Sequence, residues 1–158
     1  MKKSILSIML LLVVATVTNA APRFGVIGEQ HSGLGAFVTD DMYNAQVTFT
    51  NESNDTADTS TTSIKIAGNY KVALDSVTAF TVGASYTLIS GDINATTEHD
   101  GSNILALSAG FERALSANLV LTAQTDVYSA QTLESKGGNK EESSSLFSNN
   151  RIGVAYLF

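Results

Sequence analysis

The sequence predicts an all-β fold in which eight antiparallel strands close into an up-and-down transmembrane β-barrel. Three observations lead to this prediction. Apolar and polar residues alternate in eight short runs, which is the period of a strand with two unlike faces. The only proline is Pro22, so the strand interiors are free of a residue that interrupts sheet ladders. Only 15% of the residues are charged, which is low for a surface that faces water.

The first 20 residues have the composition of a cleaved secretory signal peptide. Two lysines form a positive start, and the apolar run after them is shorter than the ~20 residues that a membrane-spanning helix needs. Thr18 and Ala20 are small residues at the positions expected before a cut between Ala20 and Ala21. We therefore expect two segments, a signal peptide over residues 1–20 and a barrel over residues 21–158.

Eight runs after the signal peptide carry the alternation. They comprise residues 22–30, 33–38, 42–51, 63–73, 79–90, 103–113, 119–129 and 149–158. Apart from a short first outer connection, the runs are joined alternately by tight turns and by long polar segments, which is typical of barrels with periplasmic turns and extracellular loops. With an even number of strands, both mature termini are expected in the periplasm.

The two faces of the predicted strands differ in composition. One face carries large apolar residues such as Phe49, Leu105 and Val127, and the other carries small, mostly polar residues such as Asn44 and Thr81. This pattern favours an apolar face in lipid and a narrow lumen filled by small side chains. A soluble barrel of the lipocalin kind would point its apolar face inward and cover its outside with charges.

The lumen face also carries nearly balanced charges, four basic and three acidic when Arg23 at the start of the first run is included. A charge in an interior of low dielectric constant is costly unless it is paired, so we expect a plugged lumen rather than an open pore. The expected charge network consists of Glu29, Lys65, Lys71, Glu112, Asp126 and Arg151. Closure of the barrel is expected to bring Arg151 to Asp126, to Glu29 or to both, because a guanidinium can bond two carboxylates at once.

The last residues carry a recognisable pattern. Arg151, Gly153, Tyr156 and Phe158 follow the order polar-x-Gly-x-x-aromatic-x-aromatic. This order resembles the C-terminal assembly signal of bacterial outer-membrane barrels, and the whole chain resembles the small OmpA/OmpX type. The resemblance implies an integral location in the bacterial outer membrane, surrounded by its lipid and by lipopolysaccharide. It also implies the barrel-assembly machinery and periplasmic chaperones as partners during biogenesis.

Residues that could carry chemistry are few. Of the two histidines, His31 and His99, neither lies on a predicted strand, and we expect no metal site, no cofactor and no enzymatic activity. Some barrels of this size are nevertheless lipid-modifying enzymes with a Ser-His-acid arrangement. Acidic residues in the connections 52–62 and 91–102 could bind divalent cations, although solvated loop tips are the favoured explanation.

Two classes of function therefore remain besides the enzyme. One is a structural or surface-interaction barrel that works through its extracellular loops, and the other is a small-solute channel. Loss of the two signal-peptide lysines shifts the net charge from −6 to −8, which argues against binding to nucleic acid. We expect a monomer, and without cysteine it has no disulfide.

Overall fold

All regular structure in the described chain is β-strand, and the strands form one closed barrel in chain order. The computed structural model describes residues 21–54, 59–91, 99–135 and 140–158. Within these ranges there is no helix long and apolar enough to cross a membrane. The predicted eight-stranded antiparallel barrel is confirmed. The predicted signal peptide, with Ala20 at its cleavage site, lies outside the described residues.

Each strand pairs antiparallel with its neighbours in the ring. The strands are β1 (Arg23–Glu29), β2 (Gly33–Thr39), β3 (Tyr43–Asn54), β4 (Thr59–Ala73), β5 (Thr78–Gly91), β6 (His99–Ala114), β7 (Leu119–Ser135) and β8 (Lys140–Leu157). The ring closes where β1 pairs with β8, from the pair Gly25 and Leu157 to the pair Glu29 and Gly153.

The large apolar side chains point outward, as the alternation predicts. Phe49, Leu105 and Tyr156 are 53%, 54% and 52% exposed, whereas Asn44 and Thr81 on the other face are 4% and 1% exposed. An eight-stranded barrel leaves an interior just wide enough for side chains to fill, so small residues suit its inner face.

A β-bulge changes the predicted faces in the outer half of β7. Leu107 of β6 pairs with Tyr128, but Ser108 pairs with Asp126, so Val127 is an extra residue in the ladder. Asp126 remains inside, and Tyr128, 42% exposed, takes the outward place that strict alternation predicts for Val127. Alternation alone does not reveal such a shift, because a bulge adds one residue without changing the composition of the run.

The three tight turns share one hydrogen-bonding scheme. In each, a short polar side chain accepts hydrogen bonds from the backbone N–H groups two and three residues later, which stabilises the turn locally. The acceptors are Asp40, Asp75 and Ser116. The N–H of Val77, joined by that of Thr78, holds the pKa of the exposed Asp75 carboxyl below its ordinary value.

Two of the long connections at the other end continue as paired strand in their described residues. The β3–β4 ladder continues to the pair Asn54 and Thr59, and the β7–β8 ladder continues to the pair Glu134 and Lys140. The sequence predicts long polar connections here, because strands that are exposed to water on both faces show no alternation of apolar and polar residues. Threonine nevertheless favours strands, and pairing that starts in the barrel wall extends outward along the same ladders.

Candidate functional site

Four buried charges form a cluster near the outer end of the lumen, called here the outer cluster: Glu29, Lys65, Asp126 and Arg151. The Lys65 ammonium pairs with Glu29. The Arg151 guanidinium donates two hydrogen bonds to Asp126, of 2.8 Å to Oδ2 and 2.5 Å to Oδ1. Its Nε lies 3.9 Å from Glu29 Oε1 without a hydrogen bond to it. Two cations and two anions thus neutralise one another across four strands and the closing seam.

The seam differs in register from the arrangement expected from the sequence. Glu29 pairs with Gly153, two residues from the predicted level of Arg151. Arg151 itself lies opposite Gln124. The arginine side chain is long enough to compensate for both register differences. Its terminal guanidinium nitrogens reach Asp126, and its Nε still faces Glu29.

A second pair, called here the inner cluster, lies toward the turn end of the barrel and consists of Lys71 and Glu112. Lys71 Nζ is 2.6 Å from Glu112 Oε1 and also donates to Thr39 Oγ1 at 2.9 Å. Asn44 Nδ2 donates to the other Glu112 oxygen at 2.6 Å. The structure therefore divides the six predicted lumen charges between two neutral clusters instead of joining them in one.

An apolar cluster inside the barrel is absent from the sequence prediction. It packs against the closing seam and consists of Ile27, Phe37, Val120, Ala155 and Leu157. These residues are all 4% exposed or less. Their positions in the alternating runs identify them as inward-facing. They do not stand out in the sequence as an apolar cluster, because most of the other residues on the inner face are polar.

A cavity lies at each end of the lumen, and no residue lines both. The cavity at the turn end, of about 400 Å³, reaches Lys71 and Glu112. The cavity at the other end, of about 160 Å³, reaches Lys65 and Arg151. On each of the strands β4 to β8, two inward positions separate the two linings. These intervening residues lie in the middle of the described lumen, and all of them except Gly83 are buried.

The residues of the predicted assembly signal occupy both faces of β8. Arg151 and Gly153 point inward, and a Cβ at Gly153 would lie 2.6 Å from Thr122 Oγ1. That distance leaves no room for a larger residue unless Thr122 moves. Tyr156 and Phe158 point outward, and their rings meet edge to face with centroids 6.1 Å apart.

The outer rim of the barrel is uneven because the β1–β2 hairpin is short. Its turn, at residues 30–32, ends far below the other hairpins. Among the described residues, residues 51–54 of β3 and 140–150 of β8 consequently have a strand partner on one side only. We call this gap between the two unpaired edges the rim notch.

Two adjacent apolar residues lie on the β8 side of the rim notch. Leu146 and Phe147 are 69% and 72% exposed within a serine-rich segment. Phe147 has a φ of 50°, in the left-handed region that costs a bulky residue free energy. This backbone breaks the alternation, so neighbouring apolar side chains both face the exterior.

The residues considered for chemistry are only partly described. His31 lines the outer cavity and has a φ of 63°. The His99 side chain and most of the acidic connection residues lie outside the described part. No group of three or more potential metal-binding side chains converges among the residues that the structure describes.

Similarity to known proteins is found in the structure and not in the sequence. The sequence matches no protein-family model and no curated protein. The structure is similar to a major outer membrane protein of Thermus thermophilus, with a TM-score of 0.45 and 17% identity over 88% of this chain and 100% of that chain. It is also similar to Ail, the attachment invasion locus protein of Yersinia pestis, with a TM-score of 0.43 and 11% identity over 87% of this chain and 96% of that chain. Similarity at this level carries no information about the function of this chain.

Proposed function

We propose that this protein is an integral barrel of the bacterial outer membrane with a closed lumen, and that it acts at the cell surface through its outer hairpins. The inverted distribution of side chains supports the membrane location. Large apolar residues cover the outside, and every one of the six lumen charges is paired inside. In a soluble barrel that outer surface would be unstable in water, whereas lipid matches it.

The orientation follows from the two ends of the barrel. Both ends of the described chain and the three tight turns lie at one end, and the long hairpins lie at the other. Barrels of this class have short periplasmic turns and longer extracellular connections. We therefore assign the termini to the periplasm and the rim notch to the cell exterior. Lipopolysaccharide would surround the outer half of the monomer, and the assembly machinery and periplasmic chaperones would deliver it.

The filled middle of the lumen is the observation that favours a surface role over a channel. The positions that separate the two cavities are buried on five consecutive strands except at Gly83, and each strand contributes at least one side chain to this layer. On β4 and β6, Asn69 and Ser108 belong to this layer, and Asn69 donates a hydrogen bond to Asn44 at 2.6 Å. A solute would have to break such contacts and separate paired charges in order to pass.

Planar-bilayer recordings test this proposal directly. The refolded protein is expected to give no steady single-channel current, because the charge clusters and the layer between them close the lumen. A refolded porin serves as the positive control, and a heat-modifiable gel band verifies that the protein has folded. Steady currents from the folded protein would favour the channel alternative.

The enzyme alternative makes a different prediction. Mass spectrometry of lipid A from cells that overproduce the protein is expected to match that of cells with an empty vector. A changed acyl chain or headgroup would indicate a lipid-modifying activity instead.

The rim notch is the part of the surface that best fits a protein partner. Unpaired strand edges offer rows of N–H and C=O groups to which an extended polypeptide can add as a further strand. Leu146 and Phe147 beside the β8 edge would add apolar contact area to such backbone pairing. We infer that an extended segment of another protein binds here.

Peptides selected from a displayed random library on the folded barrel provide the measurement. The double variant Leu146→Ser/Phe147→Ser is expected to weaken their binding about tenfold or more, because losing a buried aromatic anchor typically costs over 1.4 kcal/mol. The matched control is Ser143→Ala/Ser144→Ala on the same exposed strand, which should retain binding. Equal affinities for the apolar double variant and the parent would exclude these residues as the binding site.

A further inference from the structure

A trough crosses the lipid-facing side of the barrel over strands β5 to β8. Its volume is about 430 Å³, and its floor is formed by the small residues Ala109, Gly110 and Ala123. Phe80 and Phe111 line one end of it, and their rings pack edge to face with centroids 5.5 Å apart. Small floor residues beside larger rings explain why the surface is concave here.

The trough follows the hydrogen-bonding direction of the sheet, obliquely to the barrel axis. Phe80 pairs with Phe111, Phe111 with Ala123, and Ala123 with Ile152, whose carbonyl accepts the N–H of Gln30. Adjacent strands are about 4.8 Å apart, so this row of residues spans roughly 19 Å from Phe80 to Gln30. The row is comparable in length to a fatty acyl chain.

The outer end of the trough is polar because a β-bulge in β8 inserts an additional polar residue there. Gln124 pairs with Arg151 and Asp126 pairs with Ser148, so two residues of β8 oppose one of β7. The first of the two β8 residues is Asn149, which has a φ of 51°. The second is Asn150, which lines the trough.

Two amide side chains at this outer end are available to a ligand. Gln30 and Asn150 are exposed trough-lining residues, and neither side chain hydrogen-bonds with any described residue. Arg151 also borders the trough, but its guanidinium is buried and engaged by Asp126. The side chains accessible from the trough are therefore uncharged, which suits carbonyl and hydroxyl groups better than phosphates.

We propose that the trough binds one acyl chain of lipid A, with Gln30 and Asn150 bonding the carbonyl and hydroxyl groups at the root of that chain. This inference rests on the proposed membrane orientation, which assigns the amides to the outer leaflet, where lipid A is the lipid. Continuity with the apolar outer surface supports a lipid occupant, because both the floor and the aromatic end of the trough belong to that surface. Phospholipid is the alternative occupant that the experiment separates.

The test measures the lipid that remains on the full-length barrel after extraction in mild detergent. Native mass spectrometry of the parent is expected to detect about one lipid A per barrel. Ala123→Leu fills the trough and should lower retention several-fold, because the acyl chain loses van der Waals contact with the trough while detergent remains an equally apolar alternative. Ala84→Leu, at another exposed outward alanine outside the trough, should retain lipid A as the parent does.

A second variant tests the polar end without adding bulk. Gln30→Ala/Asn150→Ala should lower retention several-fold, whereas Asn51→Ala, which removes an exposed amide elsewhere, should not. This pair of variants decides the question if Ala123→Leu fails to fold. The inference would be overturned by any of three results. The trough variants could retain as much lipid A as the parent, the controls could lose as much as the trough variants, or the barrel could retain phospholipid instead of lipid A.

Failure of the inference and failure of the proposed function can be distinguished in the same cells. Membrane fractionation and heat modification of the gel band are measured first on the parent protein. A folded outer-membrane barrel that retains no lipid A refutes the trough site alone. Absence of the barrel from the outer membrane refutes both.

Discussion

Replacing Arg151 with methionine is expected to lower the free energy of unfolding by about 3–5 kcal/mol, because it leaves Asp126 buried and unpaired. Asp126 is 1% exposed and receives two hydrogen bonds from the guanidinium. The Met side chain fills similar volume, so the loss should report the charge rather than a cavity. The measurement is the temperature at which the heat-modifiable gel band shifts, which should fall clearly below that of the parent.

Two further variants give this prediction its controls. Asp126→Asn should lower the transition temperature less, because the freed guanidinium lies 3.9 Å from Glu29 and can pair with it. Arg113→Met removes an exposed arginine whose one side-chain hydrogen bond among the described residues is to Thr78 at 3.3 Å, and it should leave the temperature close to the parent value. If Arg151→Met unfolds at the parent temperature, the outer cluster does not stabilise the closing seam.

Most of the fold could be predicted from the sequence because one period governs the whole chain. A strand whose faces meet lipid and a packed lumen alternates strictly, so residues such as Phe49 and Thr81 reveal both the element and its orientation. The even number of runs then implies closure of the first strand against the last. The inward position of each lumen charge follows from the same parity.

What the sequence could not supply depends on register and on local irregularity. Stagger in a closed barrel is set by all eight ladders together, so the level of Arg151 against Glu29 is offset by two residues. The extra residue at Val127 exchanges the inward and outward positions that follow it in β7. The residue types of this run do not indicate the change. For the same reason, the opposing bulge that brings Asn150 to the end of the trough is not visible in the alternation.

The grouping of the lumen residues is a consequence of register as well. Lys65 and Lys71 lie on the same strand and the same face, yet each pairs with a carboxylate from a different distant strand. Their spacing separates them along the axis, which leaves room for the packed layer that closes the lumen. Equal numbers of acidic and basic residues predict that the lumen is neutral overall. Only the three-dimensional arrangement shows that these residues form two separate neutral clusters.

Deleting Phe158 is expected to lower the yield of folded protein in the outer membrane several-fold. Its backbone N–H donates to the Phe24 carbonyl at 2.9 Å, the last hydrogen bond of the closing seam on that side. Its ring is 76% exposed and packs edge to face on Tyr156, at the boundary where aromatic side chains favour the membrane–water interface. The deletion removes both the seam contact and the final aromatic of the assembly pattern. Quantitative immunoblots of outer-membrane fractions measure the yield.

A ring removed elsewhere separates assembly from general loss of apolar surface. Phe49→Ala takes an outward phenyl group, 53% exposed, from the middle of β3 and leaves the C-terminus intact. It should lower the yield less than the Phe158 deletion, because a barrel anchored by many outward apolar side chains tolerates the loss of one. Phe158→Ala keeps the seam hydrogen bond while removing the ring, and an intermediate yield would assign separate shares to the backbone and to the aromatic. Equal yields for the deletion and for Phe49→Ala would contradict a special role for the terminal residue in assembly.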